Sequence, residues 1–384
     1  MDIPHIPDLP PFTSGIAGYV AYEAIRYFEP RVAHIQQDPN GCPEAAFIIP
    51  HDLIVFDRNR SSVYIVAIAN VASLGSESAY YNAHERISHA IDKLFCPPVQ
   101  PRPVRPEITK NASVKVTANK ISRRTYINMV HTARRAIIDG ELIQAVLSQR
   151  IVRPTNTTPL ALYRALANLN PSPYMYLFDF GDFSLIGASP ERHVRVKGGA
   201  VEIHPIAGTR PRGISAVEDS ELEISLLSSE KEQAEHLMLL DLARNDVGRV
   251  CKPGTVKVLD LMSIERYSHV MHIVSRVAGE LGPNADAIDA FVASFPAGTL
   301  TGAPKIRAIQ LIQDLEQEGR GPYCGAAGWF SCAGEIDTGT VIRSILLKGG
   351  LAHIQGGGGV VYDSLPDAEY DESIDKAQAA LRSI

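Results

Sequence analysis

The chain contains no apolar run that could cross a bilayer. Stretches such as Leu237–Leu240 stop far short of the ~20 residues a spanning helix needs. There is no basic block, and 37 Lys+Arg against 43 Asp+Glu leave a net charge of −6, which argues against nucleic acid as a main partner. The five cysteines, at 42, 96, 251, 324 and 332, are scattered and odd in number, and no Cys-x-x-Cys occurs. Neither a zinc site nor a disulfide framework is therefore indicated. Met1–Asp8 lacks the charged-then-apolar pattern of a secretory signal, and a reducing cytoplasm is the expected compartment. Internal repeats are absent, as is a Cys nucleophile in a strand-to-helix elbow with His-x-Glu downstream.

What is present is an ordinary globular composition over 384 residues, enough for one large domain or two to three average ones. Residues 1–95 read as strands and turns followed by a helix over 76–95, with Ile87, Ile91 and Leu94 on one stripe. The proline-dense stretch 96–106 reads as an extended linker, because proline fits neither a helix interior nor a central strand. Residues 107–384 form a third region. Periodicity there predicts helices over 122–139, 159–168, 219–246, 284–294, 303–318 and 369–382. Gly181-Asp182, Gly198-Gly199 and Gly349-Gly350 mark hairpins. Strands and helices cluster rather than alternate, so the expected class is α+β with a largely antiparallel sheet.

Two carboxylate pairs stand out. Glu232/Glu235 and Glu369/Glu372 each have i, i+3 spacing, so each pair shares one face of its predicted helix, with Lys376 on the second. One carboxylate from each helix suits Mg²⁺, which takes one or two protein oxygens and leaves its other positions to water and substrate. The same spacing also reads as solvated Glu–Lys pairs. Gly356–Gly359, between two predicted strands, reads either as an anion-binding nest or as a bend. Arg343, on a predicted strand, reads as a carboxylate partner or a surface ion pair. His272 reads as a base or a structural histidine. Glu191 comes just after a hairpin, where an acid can face a cleft.

Taken together, Ser189-Pro-Glu-Arg192, Pro205-Ile-Ala-Gly-Thr-Arg-Pro-Arg-Gly213, Ala234-Glu-His236, Asp241-Leu-Ala-Arg-Asn-Asp246, Ser268-His-Val-Met-His272, Phe295 to Lys305, Ile354-Gln-Gly-Gly-Gly-Gly359 and Glu369-Tyr-Asp-Glu372 resemble the chorismate-utilising enzymes. The likeness is strongest to the large subunits that make anthranilate, and the motifs run in the family's order through about residues 120–384. The resemblance implies two large, mainly antiparallel sheets packed face to face with helices outside. It implies amination of chorismate with loss of water and pyruvate, in tryptophan or other anthranilate-derived biosynthesis, with ammonia from a separate glutamine amidotransferase subunit.

Carried over motif by motif, Glu235 and Glu372 become the Mg²⁺ ligands, with Glu232 and Glu369 behind them. Glu191 becomes the acid that protonates the departing ring hydroxyl, and His272 assists aromatisation as pyruvate leaves. Ala207, Gly208, Thr209, Thr299, Tyr323, Arg343, Gly357, Gly358, Gly359 and Lys376 become the substrate contacts. Gln144 stands where water-adding relatives carry a lysine base. Glutamine cannot take a proton from water at neutral pH, which disfavours isochorismate. Ala207 stands where aminodeoxychorismate synthases often carry a lysine, and alanine closes that covalent route. Aminodeoxychorismate or aminodeoxyisochorismate synthesis and an inactive shortened paralogue stay open as alternatives. Family members normally carry a longer N-terminal stretch with half of a tryptophan-binding pocket. Pro173, Tyr174 and Met175 match the other half, and tryptophan inhibition is expected to be weak or absent.

Overall fold

The computed structural model describes residues 9–32, 35–96, 121–267 and 270–384. All but the first residue of the expected 96–106 linker, and Ser268-His269 of one motif, lie outside these. In chain order the first strands are β1 Gly15–Val20, β2 Ala45–Ile48, β3 Asp52–Asp57, β4 Ser62–Ala67, β5 Gln144–Pro154, β6 Tyr174–Asp179, β7 Phe183–Ser189, β8 Arg192–Lys197 and β9 Ala200–Ile203. They are followed by β10 Ile206–Pro211, β11 Lys257–Arg266, β12 Val270–Glu280, β13 Gly302–Ala303, β14 Ala326–Ser331, β15 Ile336–Thr340, β16 Ser344–Lys348 and β17 Leu351–Val360. The α-helices are α1 Val71–Leu74, α2 Ser76–Phe95, α3 Arg123–Ile138, α4 Pro159–Leu169, α5 Ala216–Leu227, α6 Glu230–Gly248, α7 Ala287–Ser294, α8 Lys305–Glu316 and α9 Pro366–Arg382.

Two large sheets organise the chain. One has nine strands in the order β10-β12-β9-β8-β15-β14-β1-β2, with β11 also on β12; the other has six, β13-β5-β17-β16-β7-β6. Their ladders are antiparallel. The sheets meet through Tyr19 and Ala327 of the first and Tyr176, Phe183, Leu185 and Leu346 of the second. Helices cover the other faces. Leu162 and Leu166 of α4 and Ala377, Ala380 and Leu381 of α9 pack on Ile151, Ile186, Ile345 and Ile354. Leu240, Ala243 and Val247 of α6 and Phe291 of α7 pack on Val194, Val196, Val201 and Val277. Burying such aliphatic side chains contributes about 1.5–3 kcal/mol each before chain entropy is charged against it. The expected layered α+β architecture is what forms. β1 and β2, from the first 95 residues, are strands of the nine-stranded sheet, whereas β3 and β4 pair only with each other.

Three local expectations change. The helix expected over 219–246 is two helices, because Ser228 ends α5 and the Ser229 side chain accepts from Glu232 N–H to start α6. Glu232 and Glu235 therefore lie near a helix start, where the dipole favours negative charge. The helix expected from residue 284 starts at Ala287, set by an Asp286/Asp289 capping box. The last helix begins a turn early, with Pro366 in its first turn, which brings Glu369 and Glu372 close to a helix start as well.

Candidate active site

Two of the passages between the large sheets are short links that lie side by side. β7 of the six-stranded sheet passes through Pro190 and Glu191 into β8 of the nine-stranded sheet, and β15 returns through Val341–Arg343 to β16. Backbone bonds tie the crossovers together: Thr340 N–H donates to Glu191 O at 3.0 Å, and Ala188 N–H to Arg343 O at 3.2 Å. Glu191 therefore sits on a sheet-to-sheet crossover, not merely after a hairpin. Arg343 is not on a strand but in the returning link, with φ +51°, a left-handed conformation uncommon outside glycine.

Glu191 is 7% exposed. Its Oε1 accepts from Thr299 Oγ1 at 2.5 Å, and Oε2 from Thr340 Oγ1 at 3.5 Å. Thr299 is presented by a 3₁₀ turn, Gly298–Leu300. Burial pushes the Glu191 carboxyl up from 4.5 to about 7, although the two hydroxyls and the charge of Lys376 pull the other way. Near neutral pH it is a proton donor, buried and held between two hydroxyls.

The expected carboxylates converge on the glycine strand. Gly356–Gly359 does not interrupt a strand; it belongs to β17, in register with β5 from Gly356↔Gln149 to Gly359↔Val146. The nest reading fails, because these glycines lie extended within a ladder. Their use is space. A Cβ on Gly358 would stand 2.9 Å from Glu369 Oε2 and 3.6 Å from Glu372 Oε1, and one on Gly359 would stand 2.5 Å from Gln144 Nε2. Gly356 admits α9 itself, since its Cβ would meet Ser373 O at 2.1 Å. Gln144 Nε2 donates to Glu235 Oε1 at 3.3 Å, which joins α6 to the same patch. Burial first, then the like charge of Glu232, raises the Glu235 pKa, with Glu372 adding to the effect. Burial likewise raises that of Glu369, and Glu372 adds to it. Lys376 Nζ lies 2.6 Å from Glu372 Oε1, the i, i+4 pair its spacing allowed.

Across from them, a bulge between Ala207 and Thr209 turns β10 at Gly208, whose φ is +68°. A Cβ there would stand 3.1 Å from Glu232 Oε2. Thr209 faces His272 on β12. His272 Nδ1 is 3.0 Å from Gly208 O and 3.1 Å from Thr209 Oγ1. A carbonyl accepts only, so Nδ1 carries the hydrogen and Nε2 is left as the basic nitrogen. Burial lowers the His272 pKa, and Arg343 and Lys376 lower it further. Tyr323 is buried beside Cys324, and burial keeps its hydroxyl protonated. Burial lowers the Arg343 pKa, and the charge of Glu372 opposes this.

Tyr174 lies elsewhere. Its hydroxyl accepts from Arg192 Nε at 2.6 Å and donates to Asp337 Oδ1 at 2.7 Å. Met175 packs into the cluster under α4, and Pro173 is exposed in the preceding loop. Sequence reasoning missed two neighbours of the site: Thr340, beneath Glu191, and Arg210, 3.0 Å from Glu232 Oε1. Arg210 stood within a quoted motif; for Thr340 only the strand pairing reveals a partner.

With the fold and this arrangement in view, comparison with known proteins identifies the chain as a member of the chorismate binding enzyme family, which it matches over residues 3–382. It is 44% identical over 384 residues to anthranilate synthase component 1 of Acetivibrio thermocellus, covering 99% of this chain and 77% of the relative. It is 46% identical to the protein of that name from Cereibacter sphaeroides, covering 98% and 74%. The crystal structure of anthranilate synthase component I from Streptococcus pneumoniae superposes with a TM-score of 0.85 at 38% identity, covering 98% of this chain and 82% of that one.

Proposed function

We propose that this chain converts chorismate and ammonia to anthranilate, water and pyruvate. The observation that carries the reading is Glu191, a carboxyl kept protonated up to about pH 7 by burial, within the same electrostatic neighbourhood as Lys376. A dianionic substrate needs cationic partners, which Arg343 and Lys376 supply, and a neutral acid where its hydroxyl departs. Ammonia bonds at ring carbon 2 while the ring double bonds shift and the carbon–oxygen bond of the hydroxyl breaks. Glu191 gives its proton to that oxygen, which leaves as water. His272, basic at Nε2, then takes the ring proton beside the new amine as pyruvate departs. Gln144 orients but removes no proton, in keeping with a nucleophile that already carries a lone pair.

The donor set fits a hard divalent cation. Glu369 Oε2 is buried without a hydrogen-bond partner, and the charges of Glu232 and Glu372 both act on Glu235. Among the described residues no three acidic, His or Cys side chains close a metal cage by themselves. Mg²⁺ takes only one or two protein carboxylates and leaves its other positions to water and substrate. Glu235 and Glu372 would hold it, with Glu232 and Glu369 outside them. When bound, it would neutralise a substrate carboxylate.

Ammonia comes from a glutamine amidotransferase subunit or from solution. The described cysteines are all free, and no described helix is long and apolar enough to cross a membrane. The test is incubation with chorismate, MgCl₂ and an ammonium salt at mildly alkaline pH, following anthranilate fluorescence and pyruvate release. Silence from a folded sample, or an aminated product that keeps its pyruvyl group, would overturn the reading.

A further inference from the structure

Behind Glu191, on the side of α6, is a small cavity of about 20 Å³. It is walled by Glu191, Thr299, His193, Ser294 and Asp246, and closed by Ala243 and Leu242. A cavity needs about 10–15 Å³ and two to four polar partners to hold one water; this one has the volume, and Glu191, Thr299, Ser294, His193 and Asp246 bring polar side chains to its lining. It does not lie at the Gly358–Glu372 patch; none of the metal-face carboxylates lines it. Leu242 and Asp246 also line a second, open cleft of about 720 Å³ that reaches the surface at Arg31, Arg249 and Arg307. Between the two stands a buried ion pair, Lys305 Nζ to Asp246 Oδ2 at 2.9 Å, with the same ammonium donating to Ser294 O at 3.2 Å. Leu242 leans on Gly298, where an added Cβ would come within 3.0 Å of its Cδ1.

We propose that this cavity receives the water released at Glu191, and that the Leu242–Asp246 wall is its way out to the cleft. The inference rests on the reaction proposed above. In that reaction the carbon–oxygen bond breaks with its electron pair on oxygen, Glu191 supplies the proton, and one water is left beside a newly ionised carboxylate. The aminated ring must stay bound for the second elimination, so a route for the water that does not pass the ring is required. The water needs a polar place within reach of Glu191 and a separate exit. The cavity and cleft provide both.

The test is Ala243→Val, which adds two methyl groups to the cavity wall, beside Leu242→Phe, which thickens the partition. Filling space that the departing water needs should slow its release by about tenfold, equivalent to ~1.4 kcal/mol on the barrier. Anthranilate formation from chorismate should fall by that factor with the KM for chorismate unchanged. Aminodeoxyisochorismate supplied directly should be converted at the wild-type rate, because its conversion to anthranilate releases no water. A high-resolution crystal structure should show one water in the wild-type cavity, within hydrogen-bond distance of Glu191, and none in the valine variant. Equal losses in both half-reactions, or no loss in the first, would overturn the proposal. Should Ala243→Val fail to fold, the same split measured on Leu242→Phe decides. Failure of the wild type to make anthranilate would instead defeat the functional reading beneath it.

Discussion

Glu191→Gln should make the protein more stable and nearly inactive, by amounts that follow from one side chain. In an unfolded chain the Glu191 carboxyl ionises near 4.5; in the folded chain burial lifts this to about 7. The folded state therefore holds a proton that the unfolded state has lost, and stability falls as pH rises from the lower value to the upper. Each pH unit in that window costs the folded wild type about 1.4 kcal/mol, which sums to about 3 kcal/mol above pH 7. Glutamine has nearly the same shape, does not titrate and can still accept from Thr299. Glu23, also buried and also raised to about 7, gives the wild type a similar slope of its own. It is common to both proteins and cancels in their difference. Urea titrations of both at pH 5, 6, 7 and 8 should show the advantage of the variant growing by about 2–3 kcal/mol across the series and levelling off above pH 7. Anthranilate formation should drop by about 10²–10⁴-fold, the usual worth of a general acid. A stability difference that does not change with pH would refute the claim that Glu191 is buried as a neutral acid, whatever happened to activity.

Three other outcomes are expected. Thr299→Val removes a hydrogen bond that favours ionised Glu191, so the alkaline limb of kcat/KM for chorismate should move to higher pH, by about one unit or less; a pH profile checks it. Glu372→Gln should abolish the response of turnover to Mg²⁺ and the heat of Mg²⁺ binding, while circular dichroism stays that of the wild type. Gln144→Lys places an amine beside Glu235 and the glycine strand, and should open a slow addition of water to chorismate, detected by mass analysis of the products in the absence of ammonia.

The pattern of residues carried much of the fold because its signals are local. Gly181-Asp182 set the turn between β6 and β7, Ser122 capped α3, and the i, i+3 spacing put each carboxylate pair on one helical face. The break at Ser228-Ser229 was also legible, since a serine three residues before Glu232 is a helix-start signal, but periodicity running through both helices hid it. The glycine run was misread for a different reason. Four glycines suit a nest, a bend or a crowded strand equally well, and only pairing with β5 and the approach of Ser373 and Glu369 choose among these.

The sequence by itself determined which chemical groups were available: paired carboxylates, an arginine, a histidine, and a glutamine in place of a base. Tertiary structure alone decided what those groups became. Glu191 is an acid near pH 7 because the fold buries the crossover that carries it, and Arg343 takes a left-handed backbone in the link between β15 and β16, which belong to different sheets. Side-chain type is written residue by residue, but desolvation and convergence arise from contacts between segments a hundred or more residues apart. No local pattern records them.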